Sequence, residues 1–283
     1  MSSPASLEAL YIEACRLELR ALKPGNVHVF GEGHGMRVAD FEESARVSAG
    51  KLAMPGAPVG RRIREAVAAT WAAVGCNTNL GIVLLAAPLI AAVELKTGGD
   101  LQTRLKAVLS DLSVADATDA YAAIRQAQPA GLGAAPAQDV AAAPTISLLE
   151  AMILAAPRDR IARQYASVYE DVFAIGVARL ESAMRRGFRP EWAATLAYMG
   201  FLSAFPDSHI ARKYGPGIAE AVREEAKNLC IGIGEGEETA EIRSALALFD
   251  RNLKERRINP GTSADLTVAS LLAVSSKDML PAF

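Results

Sequence analysis

The stretch that organises the chain is Gly75-Cys76-Asn77-Thr78-Asn79-Leu80-Gly81-Ile82, which runs directly into the apolar residues 83–93. Gly75 can end a preceding helix, because glycine adopts a left-handed backbone without a steric penalty. The polar side chains of residues 77–79 can then cap the next helix or be held towards a ligand. A plain helix corner and a ligand site both remain open at this point.

The apolar run predicts a helix over about Leu80–Lys96 that is hydrophobic on nearly all sides, which is typical of a buried central helix. Around it, apolar residues recur at helical spacing and strand-like alternation is almost absent. Ser3 and Pro4 are the predicted N-cap and first residue of the first helix, and Asp40 is the predicted start of the second. Further helices are predicted at about 59–74, 100–109, 114–128, 145–155, 158–186, 190–203, 216–230, 235–256 and 263–274.

The sequence therefore predicts an all-α fold, a single multi-helix globular bundle around a buried central helix. We expect one helical domain over residues 1–283. Residues 129–144, rich in alanine, glycine and proline, have little periodicity and predict a flexible surface loop, with an interdomain linker as the alternative.

Composition excludes several classes of protein. A chain of 283 residues, 51% of them hydrophobic, can bury a large core. Its net charge of −2 offers no basic surface for nucleic acid. The longest apolar run, Gly81 to Val93, is too short to span a membrane. Three widely spaced cysteines and no secretory signal predict a cytoplasmic protein.

The chain has three histidines, and all of them lie in polar loops. The first loop, between residues 23 and 37, combines cations, amides, imidazoles and an acid with several glycines that let backbone approach a ligand closely. It is a candidate anion or metal pocket, or else a surface loop whose charges are solvated. The candidate residues are Lys23, Asn26, His28, Glu32, His34 and Arg37.

Three later stretches carry similar side chains. In the second, Asp207 can cap a short helix that holds His209, Arg212 and Lys213 close together. The third is an Asn259-Pro260-Gly261 turn followed by Ser263 and Asp265, where the acid could simply stabilise a helix dipole. The arginines of the fourth, residues 157–165, could bind phosphates or pair with Asp159, Glu170 and Asp171.

Five motifs together resemble one family in order and approximate spacing. They are Lys23-Pro24-Gly25-Asn26-Val27, Phe41-x-x-Ser44-Ala45, Asn77-Thr78-Asn79-x-Gly81, Pro206-Asp207-Ser208 and Asn259-Pro260-Gly261-x-Ser263-Ala264-Asp265-Leu266. The family is that of triphosphoribosyl-dephospho-CoA synthase, and the resemblance spans about residues 10–275. It implies an all-helical enzyme, a pentosyl transferase that makes the precursor of a prosthetic group.

The resemblance implies that the 2′-hydroxyl of 3′-dephospho-CoA attacks ribose C1′ of ATP and expels adenine. Such a step needs a proton acceptor, a proton donor and cations for the triphosphate. Asp207 or Asp265 would act on the hydroxyl or the oxocarbenium centre, and His34 or His209 would protonate the purine. The cations would be Lys23, Arg37, Arg212 and Lys213.

The remaining motif residues are expected to bind the substrates. Asn77 and Asn79 would bind ribose hydroxyls or a base edge, and the other candidates are Thr78, Asn26, His28, Asn259 and Ser263. Mg²⁺ would bridge the phosphates and take carboxylates from Asp207 and Asp265, ahead of Glu32 and Asp40. The expected partners are small molecules, namely ATP and dephospho-CoA or another coenzyme precursor. A homodimer is left open.

Two departures from the family pattern widen the choice of function. Gly35 stands where many members have the acid of a His-x-Asp-Met tract. The triplet Asn77-Thr78-Asn79 resembles a sister branch of archaea and one-carbon-metabolising bacteria more than the lyase-associated Asn-Thr-His-Lys. One alternative is therefore an ATP-using enzyme that makes a methanopterin- or methylofuran-type coenzyme. Another is a non-catalytic nucleotide-binding helical module.

Overall fold

The computed structural model describes residues 6–133, 135, 137–234 and 236–279, and this part of the chain contains α-helices and no β-strand. The prediction of an all-α fold is confirmed. The α-helices, numbered in chain order, are α1 Leu7–Arg20, α2 Val38–Leu52, α3 Val59–Val74, α4 Leu80–Glu94, α5 Leu101–Ser110, α6 Val114–Ala127, α7 Leu148–Ala155, α8 Arg160–Ala166, α9 Ala178–Arg185, α10 Pro190–Ala204, α11 Ser208–Tyr214, α12 Pro216–Ile233, α13 Ala240–Glu255 and α14 Gly261–Ser275. Within these described residues, no helix is both long and apolar enough to cross a membrane.

Helix α4 is buried along nearly its whole length, as its apolar sequence predicts, but it shares the centre with α10 and α14. Helix α14 packs against both of the others. The sequence of α14 is less apolar because hydroxyl residues face the core, and two of them bond to the helix's own backbone. Thr267 Oγ1 donates to Ser263 O at 2.8 Å, and Ser270 Oγ donates to Leu266 O at 2.8 Å. Burial of these groups therefore leaves no unpaired hydroxyl.

Pro88 interrupts the hydrogen bonding of α4, and two tyrosines repair it. Proline has no N–H to donate to the carbonyl four residues earlier, which is that of Leu84. Tyr165 donates its hydroxyl to Leu84 O at 2.5 Å, and Tyr169 donates to Leu85 O at 3.0 Å. Both tyrosines are fully buried, so these bonds join α8 and the turn after it to the centre of the bundle.

The single helix predicted over 158–186 is wrong. The chain forms α8, then a turn with positive φ at Val168 and Tyr169, then a π-helix over Val172–Val177 and finally α9. The turn places the Tyr169 hydroxyl on α4. The π-helix brings Gly176 so close to Ser270 of α14 that a Cβ atom would overlap that side chain. Tertiary packing therefore decides this segment over its helical propensity.

Helix starts also differ from the prediction. Ser6 caps α1, with its Oγ accepting from Ala9 N at 3.2 Å, while the predicted cap at Ser3 and Pro4 lies outside the described residues. Helix α2 begins at Val38, so Asp40 is its third residue and not its N-cap. Asp40 Oδ2 accepts from Arg37 N at 2.8 Å. Asp40 therefore still stabilises the N-terminus of the helix, but from within its first turn.

The corner between α3 and α4 forms as its residues predict. Gly75 has φ of 69° and donates its N–H to Trp71 O at 2.9 Å, which ends α3 at the predicted residue. The next helix starts five residues later and points its N-terminus towards the first loop and α14, whose side chains line the same cavity. The corner therefore fixes where the N–H groups of α4 are directed.

Candidate functional site

A cavity of about 460 Å³ lies at the N-termini of α4 and α14. Its other walls come from α1, the first loop, α8, α11, and a segment over residues 128–140 that we call the strap. Of the predicted site residues, those that line this cavity are Asn26, His34, Asn77, Thr78, His209, Arg212, Lys213, Asn259 and Asp265. Those that do not are Lys23, His28, Glu32, Arg37, Asp40, Asn79, Asp207 and Ser263.

Asp265 is the most unusual group in the cavity. It lies against Gly81 in the second position of α4, where a Cβ atom would overlap the carboxyl group. Among the described residues, no hydrogen bond reaches either of its oxygens. Burial, and then the nearby charges of Asp207 and Glu18, raise the pKa of Asp265 well above its usual value. Both effects disfavour the ionised form of this carboxyl and favour the protonated form.

Lys23 does not contact the cavity, contrary to the prediction that it binds phosphate. It is fully buried, and its ammonium group bonds to Glu18, to Asn26 Oδ1 at 2.8 Å and to Val27 O at 2.7 Å. Its three donors are therefore occupied within the protein. Asn26 extends this network by donating to Asn259 Oδ1 at 2.8 Å.

Glu18 lines the cavity, and sequence analysis missed it. It is 4% exposed and lies one heptad after the buried Tyr11, on the apolar face of α1. A charged residue in the apolar stripe of a helix was the signal that could have identified it. Burial raises its pKa, and the charge of Lys23 opposes that shift.

Both carboxylate oxygens of Asp207 are bonded within the fold, and the residue does not line the cavity. Its Oδ1 accepts from the N–H groups of His209 and Ile210 at 2.9 and 3.2 Å, which caps α11. Its Oδ2 accepts from the N–H and hydroxyl of Ser263 at 2.8 and 2.9 Å, which ties α11 to α14. Both residues are fully buried, so the predictions that Asp207 acts as a base or metal ligand and that Ser263 binds substrate are not supported by this geometry.

The corner residues divide between capping and the cavity. Asn77 Oδ1 accepts from Leu80 N at 3.1 Å and so caps α4, while the residue itself lines the cavity. Thr78 Oγ1 and Ser44 Oγ share a hydrogen bond of 2.6 Å. Asn79 is directed away from the cavity and donates to Ser48 Oγ at 3.4 Å, so its predicted contact with a ribose or base is not supported. The plain helix corner therefore accounts for part of this motif.

In the first loop, His34 faces the cavity and His28 does not. His34 Nε2 lies 2.7 Å from Gly25 O, so this nitrogen carries the hydrogen. His28 is buried next to α13, where its Nε2 is 3.3 Å from Asp250 Oδ1. Lys254 donates to Asp250 Oδ2 at 3.0 Å and to Gly31 O at 2.7 Å. The first loop is thus fixed on α13 by a clamp that consists of His28, Asp250 and Lys254.

Both histidines of the cavity are held as neutral imidazoles. Burial lowers the pKa of His34, and the charges of Lys213 and Lys254 add to that shift more than Asp250 opposes it. Burial also lowers the pKa of His209, whose ring packs against the backbone of Gly261. Neutral imidazoles are poor proton donors, which does not favour the predicted role in protonating the purine.

The cationic wall of the cavity consists of Arg158, Arg212 and Lys213. Arg212 pairs with Asp159 through one terminal nitrogen, while its Nε is buried and has no hydrogen-bond partner in the described structure. A buried donor without a partner is costly unless a ligand satisfies it. Arg160 belongs to the frame instead, because it forms two bonds to Asp171 at 2.7 and 2.8 Å.

The strap covers the opposite side of the cavity, although the sequence predicts only a flexible surface loop there. Tyr121 donates to Gln138 O at 2.7 Å, and Arg125 donates to Val140 O at 2.5 Å. Ala134 and Pro136 lie outside the described residues. With α6 and α7, the strap gives the cavity an apolar side that includes Ile124, Leu132, Leu148 and Met152.

The predicted magnesium ligands do not come together. Glu32 is exposed and accepts from Val38 N at 3.3 Å, and Asp40 pairs with Arg37 at 3.0 Å on the surface. Asp207 is fully bonded within the fold, so Asp265 is the one of the four predicted magnesium ligands that lines the cavity. In the described part of the chain, no group of three or more His, Cys, Asp or Glu residues could hold a metal ion.

Comparisons with known proteins agree with the fold and with the motifs. A family model described as ATP:dephospho-CoA triphosphoribosyl transferase matches residues 4–280. The fold is similar to a crystal structure from Archaeoglobus fulgidus described as a candidate triphosphoribosyl-dephospho-CoA synthase, with a TM-score of 0.64 and 24% identity. That similarity covers 84% of this chain and 98% of the other. No curated protein matches significantly.

Proposed function

Since the chain belongs to the family of ATP:dephospho-CoA triphosphoribosyl transferases and is an enzyme of the pentosyl transferase class, we propose that it transfers the triphosphoribosyl group of ATP to the 2′-hydroxyl of 3′-dephospho-CoA in this cavity. The C1′–N9 bond of ATP breaks, a C1′–O bond forms, and adenine leaves. We propose a cytoplasmic location on the same ground, because ATP is the donor.

The observation that carries this proposal is the position of the Asp265 carboxyl, which lines the cavity against Gly81 and has no hydrogen-bond partner in the described structure. Burial, which raises the pKa of this group, favours its protonated form. Adenine is a poor leaving group as an anion, so the step needs a proton donor. Asp265 would donate that proton to a ring nitrogen, and the resulting carboxylate would stabilise positive charge at C1′. The two cavity histidines, held neutral, would accept or donate hydrogen bonds to the nucleotide.

The charges of the opposite wall fit the triphosphate. Arg212, Lys213 and Arg158 provide cations within a protein of net charge −2, and the unpaired Nε of Arg212 is a donor for a phosphate oxygen. The N-terminus of α4 adds free N–H groups beside Gly81. We keep magnesium as a proposed companion of the triphosphate, bound by phosphate oxygens and not by a cluster of protein carboxylates.

The test is adenine release from ATP in the presence of dephospho-CoA, followed by chromatography. We expect Asp265→Asn to lower turnover by about 10²–10⁴-fold, the range for loss of a general acid, while calorimetry shows ATP still bound. Asp139→Asn is the matched control, because Asp139 lines the same cavity but accepts from Ala135 N and Ala141 N at 2.5 and 2.8 Å. No adenine release by the unaltered protein would refute the proposed function.

If adenine is released with another acceptor but not with dephospho-CoA, ATP is still the donor and the proposed acceptor is wrong. A pterin-type or furan-type coenzyme precursor is the acceptor to try in that case. ATP binding without any adenine release would identify a nucleotide-binding module instead.

A further inference from the structure

Glu18 has one carboxylate oxygen without a hydrogen bond at the wall of the cavity. The residue is on α1, is 4% exposed and forms part of the cavity wall. Lys23 bonds to Oε1, and within the described residues no hydrogen bond reaches Oε2. A buried carboxylate with one oxygen held and the other unpaired is an acceptor with a fixed direction.

The surroundings of Lys23 explain why the carboxylate is so well fixed. Its remaining donors bond to Asn26 Oδ1 and Val27 O at 2.8 and 2.7 Å. Asn26 in turn bonds to Asn259 at the start of the turn before α14. Lys23 therefore cannot swing towards a phosphate, and its charge stays beside Glu18, where it favours the ionised carboxylate.

The other acids of the cavity either have both oxygens bonded or lack a neighbouring cation of this kind. Asp159 caps α8 through its Oδ1, with bonds of 2.9 and 3.0 Å from N–H groups, and pairs with Arg212 through its Oδ2. Both oxygens of Asp139 accept from N–H groups, those of Ala135 and Ala141. Asp265 has no hydrogen-bond partner, but burial and the nearby charge of Asp207 raise its pKa and so disfavour its carboxylate form. Of these four acids, Glu18 therefore combines an unpaired oxygen with a neighbouring cation.

We propose that Glu18 is the catalytic base of the transfer, which rests on the proposed function. Its Oε2 takes the proton of the acceptor hydroxyl as the C1′–O bond forms, while Asp265 gives a proton to adenine as the C1′–N9 bond breaks. One proton is gained and one is lost, so a single transfer from Glu18 to Asp265 resets the site. Two carboxyls with separated roles are a recurring solution for acid and base catalysis at one carbon centre.

The test compares Glu18→Gln with Glu13→Gln, which changes an exposed acid on the same helix. With ATP and dephospho-CoA, we expect Glu18→Gln to lower transfer by about 10²–10⁴-fold and Glu13→Gln to leave it within about twofold. If Glu18→Gln does not fold because Lys23 loses its partner, the double variant Glu18→Gln with Lys23→Met carries the test, and it should be equally inactive.

Azide in place of dephospho-CoA separates a base from a residue that only shapes the cavity. Azide attacks C1′ without a proton to remove, so it yields triphosphoribosyl azide and adenine with no base. Glu18→Gln should match the unaltered protein in azide-dependent adenine release, while Asp265→Asn should be impaired with either nucleophile. A loss of the azide reaction in Glu18→Gln, or near-normal transfer to dephospho-CoA, would overturn the role of Glu18.

These outcomes differ from failure of the proposed function itself. If the unaltered protein releases no adenine with ATP and dephospho-CoA, both proposals fail together. If the unaltered protein turns over and Glu18→Gln or the folded double variant does so as well, only the assignment of Glu18 is wrong.

Discussion

At the residue scale, the cavity contains a carboxyl that the fold does not stabilise. Burial and two nearby negative charges disfavour the ionised form of Asp265, and within the described residues no donor bonds to it. Asp207, at the start of α11, is fully bonded instead. The two acids look alike in sequence, and only their partners separate a structural cap from a group available for chemistry.

We predict that Asp265→Asn stabilises the protein at neutral pH by on the order of 1 kcal/mol or more, because asparagine has no proton whose pKa differs between the folded and the unfolded chain. The folded-state pKa is raised, so the unaltered protein is fully stabilised below about pH 4 and loses stability as the pH rises towards the folded pKa. The gain should therefore shrink as the pH falls to about 4. Denaturant unfolding between pH 4 and 8 measures it.

The control for this pH dependence is Asp111→Asn, which changes an exposed aspartate at the end of α5. It should show no gain that grows with pH. A stability of Asp265→Asn equal to that of the unaltered protein at every pH would mean that Asp265 is satisfied by a donor and ionised.

Gly81 gives a second prediction at this scale. An added Cβ would overlap the Asp265 carboxyl, whose short side chain can rotate away, so Gly81→Ala should move the acid and spare the fold. We expect adenine release to fall by at least about tenfold, equivalent to about 1.4 kcal/mol in the barrier, with little change in unfolding. Gly217→Ala is the control, because Gly217 is also the second residue of its helix and has open space around it. Normal activity of Gly81→Ala would contradict the close contact.

At the element scale, α4 combines a buried apolar surface with a proline in its interior. Pro88 removes one N–H from the helix, and Tyr165 supplies a donor to the carbonyl that it leaves unpaired. The helix therefore depends on a partner from a distant segment. Its N-terminus, which the cavity uses, is positioned by the corner at Gly75 and by Asn77.

We predict that Tyr165→Phe lowers the free energy of unfolding by about 1–3 kcal/mol, because Leu84 O is left buried without a donor. Pro88→Ala restores an N–H, so Tyr165→Phe should cost less in that background. A double-mutant cycle by chemical denaturation gives the coupling, and Tyr214→Phe, which removes an exposed bond to Arg257 O, should cost less than about 1 kcal/mol. Equal costs in both backgrounds would disprove the repair.

At the scale of the whole molecule, the two ends of the chain build the site together. The first loop carries Asn26 and His34. The clamp residues on α13 that hold this loop are more than two hundred residues away in the sequence. Asp250 Oδ1 accepts from Gly25 N at 2.9 Å, so the loop backbone as well as His28 is tied down. The position of the loop therefore depends on α13, which does not itself line the cavity.

We predict that Lys254→Met loosens the first loop and raises the KM for ATP by about tenfold, about 1.4 kcal/mol in binding, with a smaller change in kcat. The reason is that a cavity wall must then be ordered when the substrate binds. Steady-state adenine release measures both constants. Arg251→Met, an exposed change on the same helix, should alter neither, and an unchanged KM in Lys254→Met would show that the clamp is not needed for binding.

The sequence by itself determined the helical class, most helix boundaries, the buried α4 and the segments that meet at the cavity. These follow from local propensity, capping and apolar periodicity, which neighbouring residues carry among themselves. Only the tertiary structure decided that Lys23 is buried against Glu18, that Asp207 is a cap, and that α8 and α9 are separated by a π-helix. Partners of a polar side chain and the packing of a segment depend on residues far away in the chain, so no local pattern specifies which lysine or aspartate faces the cavity.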